Sequence, residues 1–175
     1  MKLDFQELLD YIERLQPGFR STIKGVPRQE LEAWQNRYRI TLPTLYLDLM
    51  EAVGHSSGRY RPLGVYHHLF SDLVIQNDWI HSDDYAYQED YPRKQYFMIG
   101  YEADESVISP DELFLDLSKS DGFDAPLVEM GSNGVYTEDT RDEVGKTLGE
   151  FLVERAYAQF GAKTGTNFNP SSSLW

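Results

Sequence analysis

Apolar residues along the first third of the chain recur at helical spacing. Phe5, Leu8, Leu9, Ile12 and Leu15 fall at i, i+3, i+4 and i+7, while Asp4, Glu7, Asp10 and Glu13 take the opposite face. This predicts an amphipathic helix over Leu3 to Leu15, stopped by Pro17-Gly18. A second helix is predicted from Pro27 to about Arg37, because proline is tolerated where the first helical N–H has no partner. Thr41-Leu42-Pro43-Thr44 then breaks the chain and restarts it, since the residue before proline is held extended. The third helix carries Leu45, Leu49, Met50 and Val53 on its inner face, with Gly54 expected as its C′ residue. His55 to Pro62 reads as a loop.

Beyond Leu63 the helical period fades. Leu63 to His67 has the makings of a short strand. Leu69 to Trp79 points both ways: Leu69, Leu73 and Gln76 have helical spacing, but Val74-Ile75 favours a strand. Ser82 to Pro92 is an acidic, tyrosine-rich loop. Strands are predicted over Gln95 to Tyr101 and Leu113 to Leu117. Ser118 to Ala125 is a turn, with Pro126 to Met130 the returning arm of a hairpin. Ser132-Asn133-Gly134 signals another turn, and Val135 to Thr137 a short strand. The last helix is expected from about Thr147, its N-cap, to Phe160, ended by Gly161. Ala162 to Trp175 has the composition of a flexible tail.

Helices, then strands, then a helix is an α+β order: N-terminal helices, a central mostly antiparallel sheet and one C-terminal helix. No linker or repeat divides the chain, so residues 1–161 are read as a single domain. The length of 175 residues is enough for a self-sufficient core.

Charge narrows the function. Lys+Arg number 16 against Asp+Glu 29, a net charge of −13. Residues 1–50 are balanced, with seven acids and seven bases, whereas residues 101–150 hold fourteen acids and three bases. Such a surface repels nucleic acid and anionic lipid and attracts basic proteins. There are no cysteines, which excludes disulfides, thiolate nucleophiles and cysteine-based zinc sites. The N-terminus lacks the apolar run of a signal peptide and no segment is long enough to span a bilayer, so a soluble cytoplasmic protein is expected.

Catalytic motifs are absent: there is no phosphate loop, no dinucleotide fingerprint and no G-x-S-x-G elbow. His68, Asp72 and His81 are the candidates for converging on a metal, but their spacing matches no ligand motif, and neither metal nor cofactor is expected. Asp116-x-Ser118-x-Ser120-Asp121-Gly122 has the look of a calcium loop. Its glycine falls at position seven and Leu127 stands where a bidentate glutamate belongs, so a hairpin turn is the better reading.

Five motifs in order resemble the SUKH superfamily of Smi/Knr-type proteins. Leu31, Glu32 and Trp34 precede Ile40-Thr41-Leu42-Pro43. The helix Leu45-Tyr46-Leu47-Asp48-Leu49-Met50 with Gly54 is similar to the family's Leu-Pro-x-x-Tyr-x-x-x-Leu element. Phe97-Met98-Ile99-Gly100-Tyr101, Leu113-Phe114-Leu115-Asp116-Leu117, Pro126-Leu127-Val128-Glu129 and Leu148-Gly149-Glu150-Phe151-Leu152 follow in the family's order, over roughly residues 5 to 160. Gly54-His55-Ser56-Ser57-Gly58 stands where the family carries Gly-Gly or Asn-Gly. Leu31, Trp34, Leu42, Pro43, Tyr46, Leu49 and Gly54 are read as structural residues of the motif.

The resemblance implies a non-catalytic binding protein. Family members are mostly bacterial immunity proteins that neutralise cognate toxins, many of them basic nucleases or deaminases, while a fungal branch regulates cell-wall synthesis through protein contacts. Acidic complementarity to a basic toxin domain is the expected mechanism, and a regulatory or scaffold module the alternative. The expected partner-binding residues are Asp83, Asp84, Tyr85, Tyr87, Glu89 and Asp90, with Glu102, Asp104 and Glu105 beside them and Tyr60 as a further candidate. They combine acidic residues, which steer a basic partner, with aromatic anchors.

Overall fold

In the computed structural model, residues 2–82, 95–102, 111–131 and 141–161 are described. Helix α1 spans Phe5–Leu15, with Asp4 accepting a hydrogen bond from the Gln6 N–H at 2.8 Å as its N-cap. Phe5, Leu8, Leu9 and Ile12 are buried, as the spacing predicts. A tight helical turn, Phe19–Thr22, leads to α2, Arg28–Tyr38, and the chain then turns through Arg39 in the left-handed region (φ 54°). Helix α3 spans Thr44–Val53 and starts immediately after the Leu42-Pro43 corner. Both corner residues are buried, and the Leu42 N–H is satisfied by Gln35 Oε1 at 2.8 Å.

Four strands follow a fourth helix: α4, Phe70–Ile80, then β1, Tyr96–Tyr101, β2, Asp111–Asp116, β3, Pro126–Gly131, and β4, Arg141–Thr147. They form one antiparallel sheet in the order β1-β2-β3-β4. Tyr96, Phe97, Met98 and Ile99 are buried in succession rather than alternately, so both faces of β1 are covered. Helix α5, Leu148–Ala156, closes the described chain and runs on into a wider π turn, Tyr157–Gly161. The predicted α+β architecture is therefore observed, and the buried apolar residues of helices and sheet join in one core.

The β2–β3 connection holds the helices against the sheet. Its Gly122 and Phe123 carbonyls accept the Thr44 and Leu45 N–H groups at the start of α3, at 3.2 and 2.9 Å. Asp124 Oδ2 accepts the Gly149 N–H at 3.1 Å and the Ala125 carbonyl accepts the Leu148 N–H at 3.0 Å, at the start of α5. Orphan donors of two helix ends are thus satisfied by one loop. The same loop explains the calcium-like spacing: Asp116 accepts from Ser118 N and Oγ at 3.1 and 2.5 Å, and Asp121 Oδ1 from the Phe123 and Asp124 N–H groups, both at 2.8 Å. These carboxylates hold backbone turns. Thr147 caps α5 as expected and forms a full capping box with Glu150.

Several local expectations are corrected. Gly54 is not a left-handed C′ residue: its φ is −65° and it continues right-handed from α3. It is glycine because a Cβ there would lie 2.7 Å from the Met50 carbonyl oxygen and 2.7 Å from Val26 Cγ2. Leu63 to His67 is turn rather than strand, touching the sheet through a single bridge from His67 to Tyr101. The ambiguous stretch after Leu69 is the helix α4, whose inner residues Leu73, Asn77 and Ile80 follow a helical, not an alternating, period. Strand β4 has no apolar alternation to predict it. Val135 to Thr137, Ser132-Asn133-Gly134 and the tail from Ala162 lie outside the described residues.

Candidate functional site

Helix α4 covers the outer edge of β1, an edge that would otherwise offer unpaired backbone to other chains. It is held there by Asn77, which is fully buried and donates from Nδ2 to the carbonyls of Leu73 at 3.0 Å and Met98 at 2.9 Å. The Phe70 N–H, at the other end of the helix, donates to the Gly54 carbonyl at 2.8 Å. Packing beneath is aromatic: Trp34 meets Phe70 edge-on at 5.0 Å and Phe97 at 4.8 Å between ring centroids.

The outward face is apolar as well. Ile75 is 66% exposed and Trp79 57%, one turn apart on the same side of the helix. One turn earlier the same side carries Ser71, whose hydroxyl donates to Asp72 Oδ1 at 3.2 Å, so the apolar stripe is the Ile75–Trp79 pair. An isolated exposed isoleucine needs no explanation, but a stacked isoleucine and tryptophan on a helix that already buries its other side do.

Acids and their partners bracket this stripe. At the C-terminal turn, Asp78 accepts the Tyr38 hydroxyl through Oδ1 and pairs with Arg37 through Oδ2 at 2.9 Å. His81 stacks on Tyr38, with ring centroids 4.6 Å apart. Burial first, and then the hydrogen bond to Asp78, push the Tyr38 hydroxyl's pKa well above its ordinary value, so it stays a donor. At the N-terminal turn Asp72 lies close enough to Tyr101 to raise the pKa of that phenol, after burial as the larger cause. Since His81 lies by Phe97 (6.3 Å) and Asp72 by Tyr101, α4 runs antiparallel to β1.

Of the residues expected to bind a partner, Asp83, Asp84, Tyr85, Tyr87, Glu89, Asp90, Asp104 and Glu105 lie outside the described residues. The first six follow Ser82 at the C-terminal end of α4; the last two follow Glu102 at the far end of β1. Glu102 is half-buried and directly follows the last residue of β1. Tyr60 is corrected outright: it is fully buried and its hydroxyl donates to the Leu152 carbonyl at 3.0 Å, which makes it a core residue. His68 and His81 flank α4 at its two ends, about 16 Å of helix apart, so they cannot share an ion. Among the described residues, no three His, Asp or Glu side chains gather closely enough to hold a metal. Leu31, Trp34, Leu42, Tyr46 and Leu49 are all buried. The Tyr46 hydroxyl finds no hydrogen-bond partner among the described residues.

Ile75, Trp79 and the Tyr38–Asp78–His81 cluster were not anticipated. Read as a helix, the stretch after Leu69 would have shown Ile75 and Trp79 opposite Leu73, Asn77 and Ile80; the Val74-Ile75 pair obscured that. Among the described residues no helix is long and apolar enough to cross a membrane. Compared with protein-family models, with curated proteins and with solved structures, the chain has no match.

Proposed function

We propose that this chain is a non-catalytic protein-binding module, an immunity protein that neutralises a toxin by docking a basic domain of it against the outer face of α4. The observation that carries the reading is the exposed Ile75–Trp79 pair on a helix with acid-rich chain attached at one end and Asp72 and Glu102 at the other. Buried aromatic anchors supply most of the energy of a typical interface, and surrounding charges supply specificity and encounter rate. A net charge of −13 selects a basic partner. The motif order from Leu31 to Leu152 that resembles the SUKH superfamily adds the toxin-directed role.

The test is co-expression of this chain with a candidate basic toxin domain, with growth rescue and affinity as readouts. Trp79→Ala and Ile75→Ser are each expected to weaken binding, the former by roughly thirtyfold or more, because truncating an anchor costs about 2 kcal/mol or more. Asp83→Lys with Asp84→Lys is expected to slow association and flatten its salt dependence. Binding indifferent to both the helix face and salt would end this reading. Association only with a second copy or with a non-toxin cellular protein would replace it with a regulatory scaffold.

A further inference from the structure

A basic cleft lies where the loop before α4 meets the end of α5. It has a volume of about 420 Å³ and is lined by Arg61, Gly64, Val65, Arg155, Ala158 and Gln159. In a chain with a net charge of −13, none of these described lining residues is acidic. Arg20, Arg28 and Arg37 pair with Asp10, Glu51 and Asp78. Neither Arg61 nor Arg155 has an ion-pair partner among the described residues. Glu154, the acid next to Arg155, is engaged by Lys146.

The Arg155 side chain and the Arg61 backbone are held by their neighbours, and neither guanidinium has a hydrogen-bond partner among the described residues. The Arg155 guanidinium lies over the Phe151 ring, 5.1 Å from its centroid, and against Gly64, where a Cβ would come within 2.9 Å of Arg155 Cζ. Gly64 holds a φ of +69°, a left-handed conformation that favours glycine. Gln159 grips the backbone on either side of Tyr60: its Oε1 accepts the Arg61 N–H at 3.0 Å and its Nε2 donates to the Arg59 carbonyl. The Tyr60 hydroxyl, bonded to the Leu152 carbonyl, anchors the same loop to α5. Val65, 62% exposed, and Ala158 add an apolar wall.

We propose that this cleft binds a phosphate dianion, carried by a small molecule whose apolar part rests on Val65 and Ala158. Two arginines line the cleft, one with its guanidinium seated on Phe151, and supply the charge and N–H forks that a phosphate takes, while the volume leaves room for a substituent. The site is independent of the partner-binding face and shares no residue with it.

The experiment is a titration of the full chain with inorganic phosphate and, separately, with phenyl phosphate, at constant ionic strength, followed by amide chemical shifts and calorimetry. Saturable binding with shifts confined to residues 59–65 and 151–161 is expected. Tighter binding of phenyl phosphate assigns the site to an organic phosphate; equal affinity assigns it to free phosphate. Arg61→Gln and Arg155→Gln should each weaken binding roughly tenfold or more, as expected for lost charge-assisted hydrogen bonds. Arg155→Lys, which keeps the charge but loses the fork, should also weaken it. Val65→Asp leaves both arginines and the core in place and should abolish binding, so the test survives an arginine variant that fails to fold. Absence of saturable binding, binding undiminished in these variants, or shifts spread over unrelated lysines would each overturn the proposal.

Discussion

Replacing Asn77 tests whether one amide holds α4, and the face it presents, against the sheet. The side chain is fully buried; its Nδ2 serves two carbonyls, and its Oδ1 has no hydrogen-bond partner among the described residues. In Asn77→Ala the Leu73 carbonyl keeps its helical bond, whereas the Met98 carbonyl loses the donor that reaches it from α4. A buried acceptor stripped of a partner costs about 1–3 kcal/mol, and the small void adds about 1 kcal/mol more. Removing the orphaned Oδ1 returns about 1 kcal/mol. The expected net loss is about 2 kcal/mol, a shift in urea midpoint of about 1 M for a slope of about 2 kcal/mol/M. Amide exchange in β1 and α4 should quicken about thirtyfold if the two open together. Asn77→Leu separates the causes, since it refills the space but donates nothing, and it too should be destabilised. If Asn77→Leu matches the wild type, the bond to Met98 contributes nothing and the account of how α4 is held is wrong.

Three further outcomes follow from buried groups. Tyr46→Phe removes a buried hydroxyl that has no partner among the described residues, so stability should hold or rise by about 1 kcal/mol in denaturant titration, although a tyrosine at this place is part of the motif. Gly54→Ala should cost about 1–3 kcal/mol by the same measurement, because the added Cβ strikes the Met50 carbonyl and Val26. His68 has its pKa lowered mainly by burial, with His67 adding to the shift and the Tyr66 carbonyl opposing it. The unfolded chain therefore binds this proton first: stability is full above about pH 6.5 and declines as pH falls from there towards the lowered folded-state value. His68→Gln should flatten that limb of the stability–pH curve.

How far each element could be read depended on where its partners lie. Helix α1 was legible because Phe5, Leu8, Leu9 and Ile12 all face one core and Asp4 caps its own helix. The corner at Leu42-Pro43 and the cap at Thr147 are likewise local chemistry, settled within a few residues. Helix α4 was only half legible: Leu69, Leu73 and Gln76 have helical spacing, but Val74-Ile75 favours a strand, and the inward Asn77 is polar by sequence and buried where Met98 supplies a carbonyl. Strand β4, Arg-Asp-Glu-Val-Gly-Lys-Thr, has no apolar alternation; it is a strand because β3 offers it a ladder. Tyr60 carries no mark in its neighbours that its hydroxyl will meet Leu152, and the proposed partner face was sought in the acids while its exposed anchors sat one helix earlier.

From the chain alone came the α+β order, the starts of α1, α2, α3 and α5, the hairpin turn and a strongly acidic character, since each rests on short-range sterics, periodicity or plain addition of charge. The tertiary structure decided which polar side chains are buried, why Gly54 must lack a side chain, which face of α4 meets solvent, and that Arg61 and Arg155 share one cleft. Those depend on groups far apart in the chain meeting in space, and no local pattern encodes such a meeting.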